Sequence, residues 1–273
     1  MDILQTITEE FKLNPTHTNN IVTLLDEGNT VPFIARYRKE MTGACDDQVL
    51  RALSDRLTYL RNLEKRKDEV SGSITEQGKM TEEIRLSLVS ATTLTEVEDI
   101  YRPYKQKRKT RASVAIAKGL QPLADAILAQ NKTFSVAKAA ETYINDEVAS
   151  AKDAIDGARD IIAEIISDDA ATRKKLRNFY FRHGEITACY AKGKEELDEK
   201  KTYGMYASYS EPVSEIKGHR ILALNRGEKE EFLKVSVTVD ADFAKRITAA
   251  NFIKDGGESS QIVKEAAEDG YDR

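Results

Sequence analysis

The chain is poor in the residue types that carry most recognisable chemistry. It has two cysteines, Cys45 and Cys189, and three histidines, His17, His183 and His219, all scattered. No pair has the spacing of a zinc ligand set, so neither a metal nor a cofactor is expected. Two thiols so far apart, in no paired motif, read as reduced cysteines of a cytosolic protein. No apolar run approaches the roughly 20 residues needed to cross a bilayer, and the mean hydropathy is -0.52. The opening Met1-Asp2-Ile3-Leu4 lacks the basic region, apolar core and cleavage site of a secretory signal. A cytoplasmic location without membrane contact is therefore expected. Also missing are a Gly-rich phosphate loop, a nucleophile elbow and a zinc-protease helix motif. The acidic pairs Asp46/Asp47 and Asp168/Asp169 fall where helices need N-caps and are read as caps. A hydrolytic site would need carboxylates to assemble around divalent metals, and nothing nominates one. The expectation is a non-enzymatic protein with no catalytic residues.

What is present is charge and helical periodicity. The 273 residues are 40% hydrophobic and 32% charged, which bounds a soluble protein of one large or two to three small domains. The formal net charge is -4, so any nucleic-acid binding must come from local patches rather than from the whole surface.

Residues 2–12 carry Ile3, Leu4, Ile7 and Phe11 at helical spacing, and Asn14-Pro15 reads as a break. Thr16 or Thr18 caps a second helix that Gly28 ends. Pro32 opens a third over 31–39, closed by Gly43. The spacing then predicts one long helix over 46–77, with Leu53, Leu57, Leu60 and Leu63 on one stripe and Asp46 or Asp47 as N-cap. Thr81 begins another helix with Ile84, Leu86, Leu88 and Val89 apolar. Thr95 and Glu98 form a capping box, and that helix stops at Pro103. Further helices follow from Gln121, around Val136 to Ile144, from Ser150 and from Asp168, the last ending at His183-Gly184. Composition changes near 185. Strands are expected at 185–190 and, by strict alternation, at 233–240. Helices are expected over 214–225, ended by Gly227, around Phe243 to Ile253, and from Gln261 after a break at Asp255-Gly256-Gly257. The fold class is therefore mainly α, with short helices, one long helix and helical hairpins, plus a small α+β portion near the C-terminus. The expected division is 1–45, a helix-turn-helix-like bundle; 46–184, the helical region; and 185–273, the α+β portion.

Two clusters of positive charge interrupt this acidic background. Residues 101–111 contain six basic residues and no acid. Lys105, Lys107, Arg108, Lys109 and Arg111 can each neutralise a phosphate, and Tyr101 and Tyr104 can stack on unpaired bases. Equally, 46 Asp and Glu residues offer internal partners, so the stretch can instead bind acidic helices of the same chain. The second cluster is Arg36, Arg38 and Lys39, whose stems can also simply lie over the core.

The strings around these clusters carry a family resemblance. Leu24 to Gly28 followed by Val31-Pro32-Phe33-Ile34-Ala35-Arg36-Tyr37-Arg38-Lys39-Glu40 resembles the opening of the Tex proteins, bacterial transcription accessory factors. So do Asp99 to Thr110, Gly157 to Glu164 and His219 to Glu228. The resemblance implies more protein than these 273 residues. Family members continue into an RNase-H-like domain, helix-hairpin-helix elements and a C-terminal OB-fold RNA-binding domain. A final helix without a stop signal before Arg273 fits a truncated piece. The expected role is scaffolding with auxiliary, sequence-independent contact to RNA or DNA, weak without those further domains. The expected partners are nucleic acid, the transcription machinery and the C-terminal domains. The alternative is a protein-interaction scaffold, docked through the long helix, in which the basic stretch is internal glue.

Overall fold

The computed structural model describes residues 2–254 and 257–273. Its chain divides into two compact units, Met1–Tyr104 and Lys105–Arg273. The sequence pattern divides instead at 45/46, where short helices give way to the long one, and at 184/185, where composition changes.

In the first unit, α1 (Ile3–Phe11), α2 (Pro15–Asp26), α3 (Val31–Tyr37) and α4 (Lys39–Thr42) precede the long α5 (Asp47–Glu76). The residues of 1–45 do not make a separate core: Ile7, Ile21 and Ile34 join Leu50, Leu53, Leu57, Leu60 and Leu63 of α5 in one buried cluster. The thirty residues of α5 span about 45 Å at 1.5 Å per residue. Asp46 is its N-cap, accepting from the Gln48 amide at 2.8 Å. α6 (Glu82–Ser90) and α7 (Leu94–Tyr101) pack back against it, and a 3-10 turn spans Arg102–Tyr104.

Several local expectations shift. Asn14, not Thr16 or Thr18, caps α2, and Pro15 is its first residue, where a missing N–H costs nothing. The helix expected over 31–39 splits at Arg38. The cap of α7 is Thr93, bonded by the Glu96 amide, while Glu96 reaches back to the Thr92 amide at 2.8 Å; the box sits two residues earlier than Thr95. On α6 only Leu88 is buried, and Leu86 and Val89 face solvent.

The second unit opens with α8 (Arg111–Ala117), which sequence reasoning missed, then α9 (Gln121–Ala129), α10 (Val136–Glu141), α11 (Ala151–Asp168) and α12 (Ala170–His183). Strands β1 (Glu185–Tyr190), β2 (Ser208–Pro212) and β3 (Leu233–Thr238) form an antiparallel sheet in the order β2-β1-β3, with Ala188 opposite both Tyr209 and Val235. β2 was not expected. α13 (Gly218–Lys229) starts four residues after Ser214 and runs through Gly227. A Cβ at Gly227 would stand 2.5 Å from Leu233 Cδ1, so this glycine serves helix–strand packing rather than termination. α14 (Ala241–Ala250) ends before Phe252. α15 (Gly257–Asp272) begins four residues earlier than Gln261; of the expected break, Asp255 and Gly256 lie outside the described residues.

The larger core of this unit is built around α11. Its Ala154, Ala158, Ile161, Ile162 and Ile166 pack with Leu120, Leu123 and Ile127 on one side and with Ile262, Val263, Ala266 and Ala267 of α15 on the other. Gln130, at positive φ, bonds the Phe252 carbonyl at 2.6 Å and the Lys254 amide at 2.8 Å. It thereby ties residues more than 120 apart in sequence. Among the described residues no single helix is long and apolar enough to cross a membrane.

Candidate nucleic-acid interface

Residues 105–110 form an irregular loop leading into α8. Its exit is fixed by a reciprocal capping box: the Ser113 amide donates to Thr110 Oγ1 at 3.0 Å, and the Thr110 amide donates to Ser113 Oγ at 2.8 Å. Its course is fixed by α11. Asp160, Glu164 and Asp168 recur every four residues and so share one helix face. Lys107 Nζ lies 3.2 Å from Glu164 Oε1 and also pairs with the Asp168 carboxylate. The Asp168 side chain is only 8% exposed, and a polar group so deep is costly to leave without partners. One turn back, Arg111 Nε is 3.4 Å from Asp160, and its Nη2 is 3.0 Å from Asp269 of α15. Burial raises the Asp269 pKa, but the Arg273 and Arg111 guanidiniums outweigh it and hold the carboxyl below its ordinary value.

The cations of the basic stretch therefore fall into two groups. Lys107 and Arg111 are internal glue on the acidic face of α11. Arg108 and Lys109, between them, are exposed and make no side-chain ion pair among the described residues. Lys105 is exposed and engages a neighbour within the protein. Asp169 caps α12, bonded by the Thr172 amide at 2.7 Å. Asp168 does not cap, and its role as the Lys107 anchor corrects the paired-cap reading.

Tyr101 and Tyr104 belong to the first unit and pack against its core. The Tyr101 hydroxyl is 2.9 Å from Ser73 Oγ, and the Arg66 guanidinium lies 5.5 Å from its ring centroid. Burial raises the Tyr104 phenol, with Glu83 adding to it, and the Tyr104 carbonyl accepts from Gln77 at 3.0 Å. Both rings thus serve the end of α7. Arg36 and Lys39 are exposed. Arg38 lies 5.2 Å from the Phe33 ring centroid and donates to the Tyr37 carbonyl at 3.2 Å, so its stem covers apolar surface. These three residues are on the first unit and the 105–111 loop is on the second.

One strongly cationic element escaped the sequence reading. α12 carries Arg173, Lys174, Lys175, Arg177 and Arg182 and no acid. Charge of a single sign over a whole helix is a signal in the string itself, set beside the apolar spacing of Leu176, Phe179 and Tyr180. Among the described residues no group of three or more His, Cys, Asp or Glu side chains is arranged to hold a metal ion.

Two family models match the chain, one described as the Tex-like protein N-terminal domain over residues 1–75 and one as Tex central region-like over residues 131–268. The loop lies between the two matched segments. The chain is 43% identical over 242 residues to the transcriptional accessory protein Tex of Neisseria gonorrhoeae, covering 89% of this chain and 32% of that protein. It is 45% identical over 272 residues to the protein YdcI of Bacillus subtilis, covering 98% of this chain and 38% of the relative. To the human S1 RNA-binding domain-containing protein 1 it is 32% identical over 246 residues, covering 87% and 24%. The chain thus spans 24% to 38% of the length of these relatives.

Proposed function

Because the chain belongs to the Tex family, we propose that it acts without catalysis, as a scaffold making auxiliary, sequence-independent contacts to nucleic acid during transcription. The supporting observation is the division of labour in the 105–111 loop. Lys107 and Arg111 are clamped to α11, which holds Arg108 and Lys109 outward on a fixed support. Cations presented in this way contact phosphates, which position a duplex without reading its sequence. The relatives named for transcription and for RNA binding make a nucleic acid the natural partner.

The test is the salt dependence of binding to a labelled DNA duplex, measured by fluorescence anisotropy. Each phosphate contact contributes about 0.9 to the magnitude of the log–log slope. The double variant Arg108→Ala/Lys109→Ala should lower that magnitude by about 1.8 while leaving the circular-dichroism melting curve unchanged. If it binds like the parent at low salt with the same slope, the loop is not a contact. The second reading, a scaffold that docks other domains or the transcription machinery, is favoured by Leu86 and Val89. They stand 54% and 59% exposed, three residues apart on α6. That reading expects no effect of the loop variant on any partner.

A further inference from the structure

We propose that the outer face of α12 is a second nucleic-acid surface, selective for single strands, with Phe181 as its stacking platform. Projected at 100° per residue, Lys174, Lys175, Arg177, Asn178, Phe181 and Arg182 occupy one arc of about 160°, and all six are exposed. The opposite side of the helix is committed to the fold. Thr172 is buried and accepts from Asn251 Nδ2 at 2.9 Å. Phe179 stacks on Phe243 at 5.1 Å between centroids, and the Tyr180 hydroxyl is 2.7 Å from that of Tyr271 on α15. Packing therefore fixes which way the arc points.

Three observations identify the occupant. The arc carries Lys174, Lys175, Arg177 and Arg182, and the helix itself contains no Asp or Glu. Like charges at Arg173/Arg177 and Lys174/Arg177 stand one turn apart, an arrangement that disfavours the helix itself. Lys175 donates to Asn251 Oδ1 at 2.5 Å, and Lys174 and Arg177 engage neighbours in the protein, so the argument rests on the sign of the arc rather than on unpaired cations. Within this field Phe181 is 58% exposed. A bare ring among cations suits unpaired bases, which stack on it while their phosphates meet the charges. Paired bases in a duplex offer no free face. Lys107 also pins the 105–110 loop to Asp168, next to the Asp169 cap of α12, so loop and helix meet at the α11–α12 corner.

The experiment titrates labelled oligothymidylate and a duplex of equal length with the parent, Phe181→Ala, Phe181→Trp, Lys174→Gln/Arg182→Gln and the loop variant Arg108→Ala/Lys109→Ala. Phe181→Ala should weaken single-strand binding roughly 5- to 150-fold and duplex binding less than twofold, and Phe181→Trp should restore it. Lys174→Gln/Arg182→Gln should lower the single-strand salt slope by about 1.4, at about 0.7 per contact. Single-strand binding by Phe181→Ala equal to the parent, an equal loss on both nucleic acids, or competition by polyglutamate as effective as by oligothymidylate overturns the proposal. If the loop variant alone loses binding, the α12 surface fails and the loop reading stands. If the α12 variants alone lose it, the reverse holds. A parent that binds neither nucleic acid at low salt overturns both.

Discussion

Single atoms decide several contacts in this fold. Gly270 of α15 faces the backbone of α11, and a Cβ there would stand 2.8 Å from the Ala163 carbonyl oxygen. A backbone atom in a packed helix cannot step aside as a side-chain end can. Gly270→Ala should therefore destabilise the protein by about 1–3 kcal/mol, the usual range for overpacking, read as a drop in urea midpoint at unchanged m-value. An unchanged midpoint would mean that α15 sits farther from α11. In the sequence, Gly227 looks like a glycine at a helix end and Gly270 gives no signal at all, because a chain read residue by residue shows only a residue's own preference. The close approach that requires each glycine comes from a partner elsewhere in the chain. Asp168 and Asp169 make the same point, since adjacent identical side chains serve as an anchor and a cap.

At the scale of elements, the clamp between the loop and α11 carries its own prediction. Lys107→Met removes a cation from Glu164 and Asp168, the latter nearly buried. Because the lysine is 27% exposed, solvent offsets part of the loss, and a destabilisation of about 1–3 kcal/mol is expected, below the full cost of breaking a buried pair. Trypsin cleavage after Arg108 and Lys109 should accelerate more than global unfolding does. Equal acceleration of the two would show that the clamp does not hold the loop. Helices with a strong stripe and a capping residue, such as α5 and α11, were legible to within a residue. α8 was not, because its seven residues are too few for a periodicity and its cap, Thr110, lies inside the basic stretch. β2, five residues long, gives no alternation to count and exists because β1 offers it a hydrogen-bonding edge. Of the candidate site, the charge of the loop was legible. The sorting of its cations into anchors and solvent-facing groups was not, since it depends on Asp160, Glu164 and Asp168, some fifty to sixty residues farther along, and on Asp269, 158 residues beyond Arg111.

The whole molecule should lose stability in acid through pairs spread over both units. The Arg56 guanidinium, 2.6 Å away, holds the Glu10 carboxyl below its ordinary value of 4.5. Arg61, also at 2.6 Å, does the same to Asp26, ordinarily 3.8, and Asp269 is lowered too. A carboxyl whose folded pKa lies below its unfolded one stabilises fully above the unfolded value and loses that contribution as pH falls through the folded one. Urea midpoints should thus be level from about pH 7 to about 5 and decline below about 4. A midpoint flat down to about pH 3 would show that these pairs contribute nothing. The seating of α15 against α11 also has a consequence in time. Ile161, Ile162 and Ile166 are synthesised long before Val263, Ala266 and Ala267. At about 5–20 residues per second, a growing chain leaves that apolar flank without its partner helix for roughly 5–20 seconds.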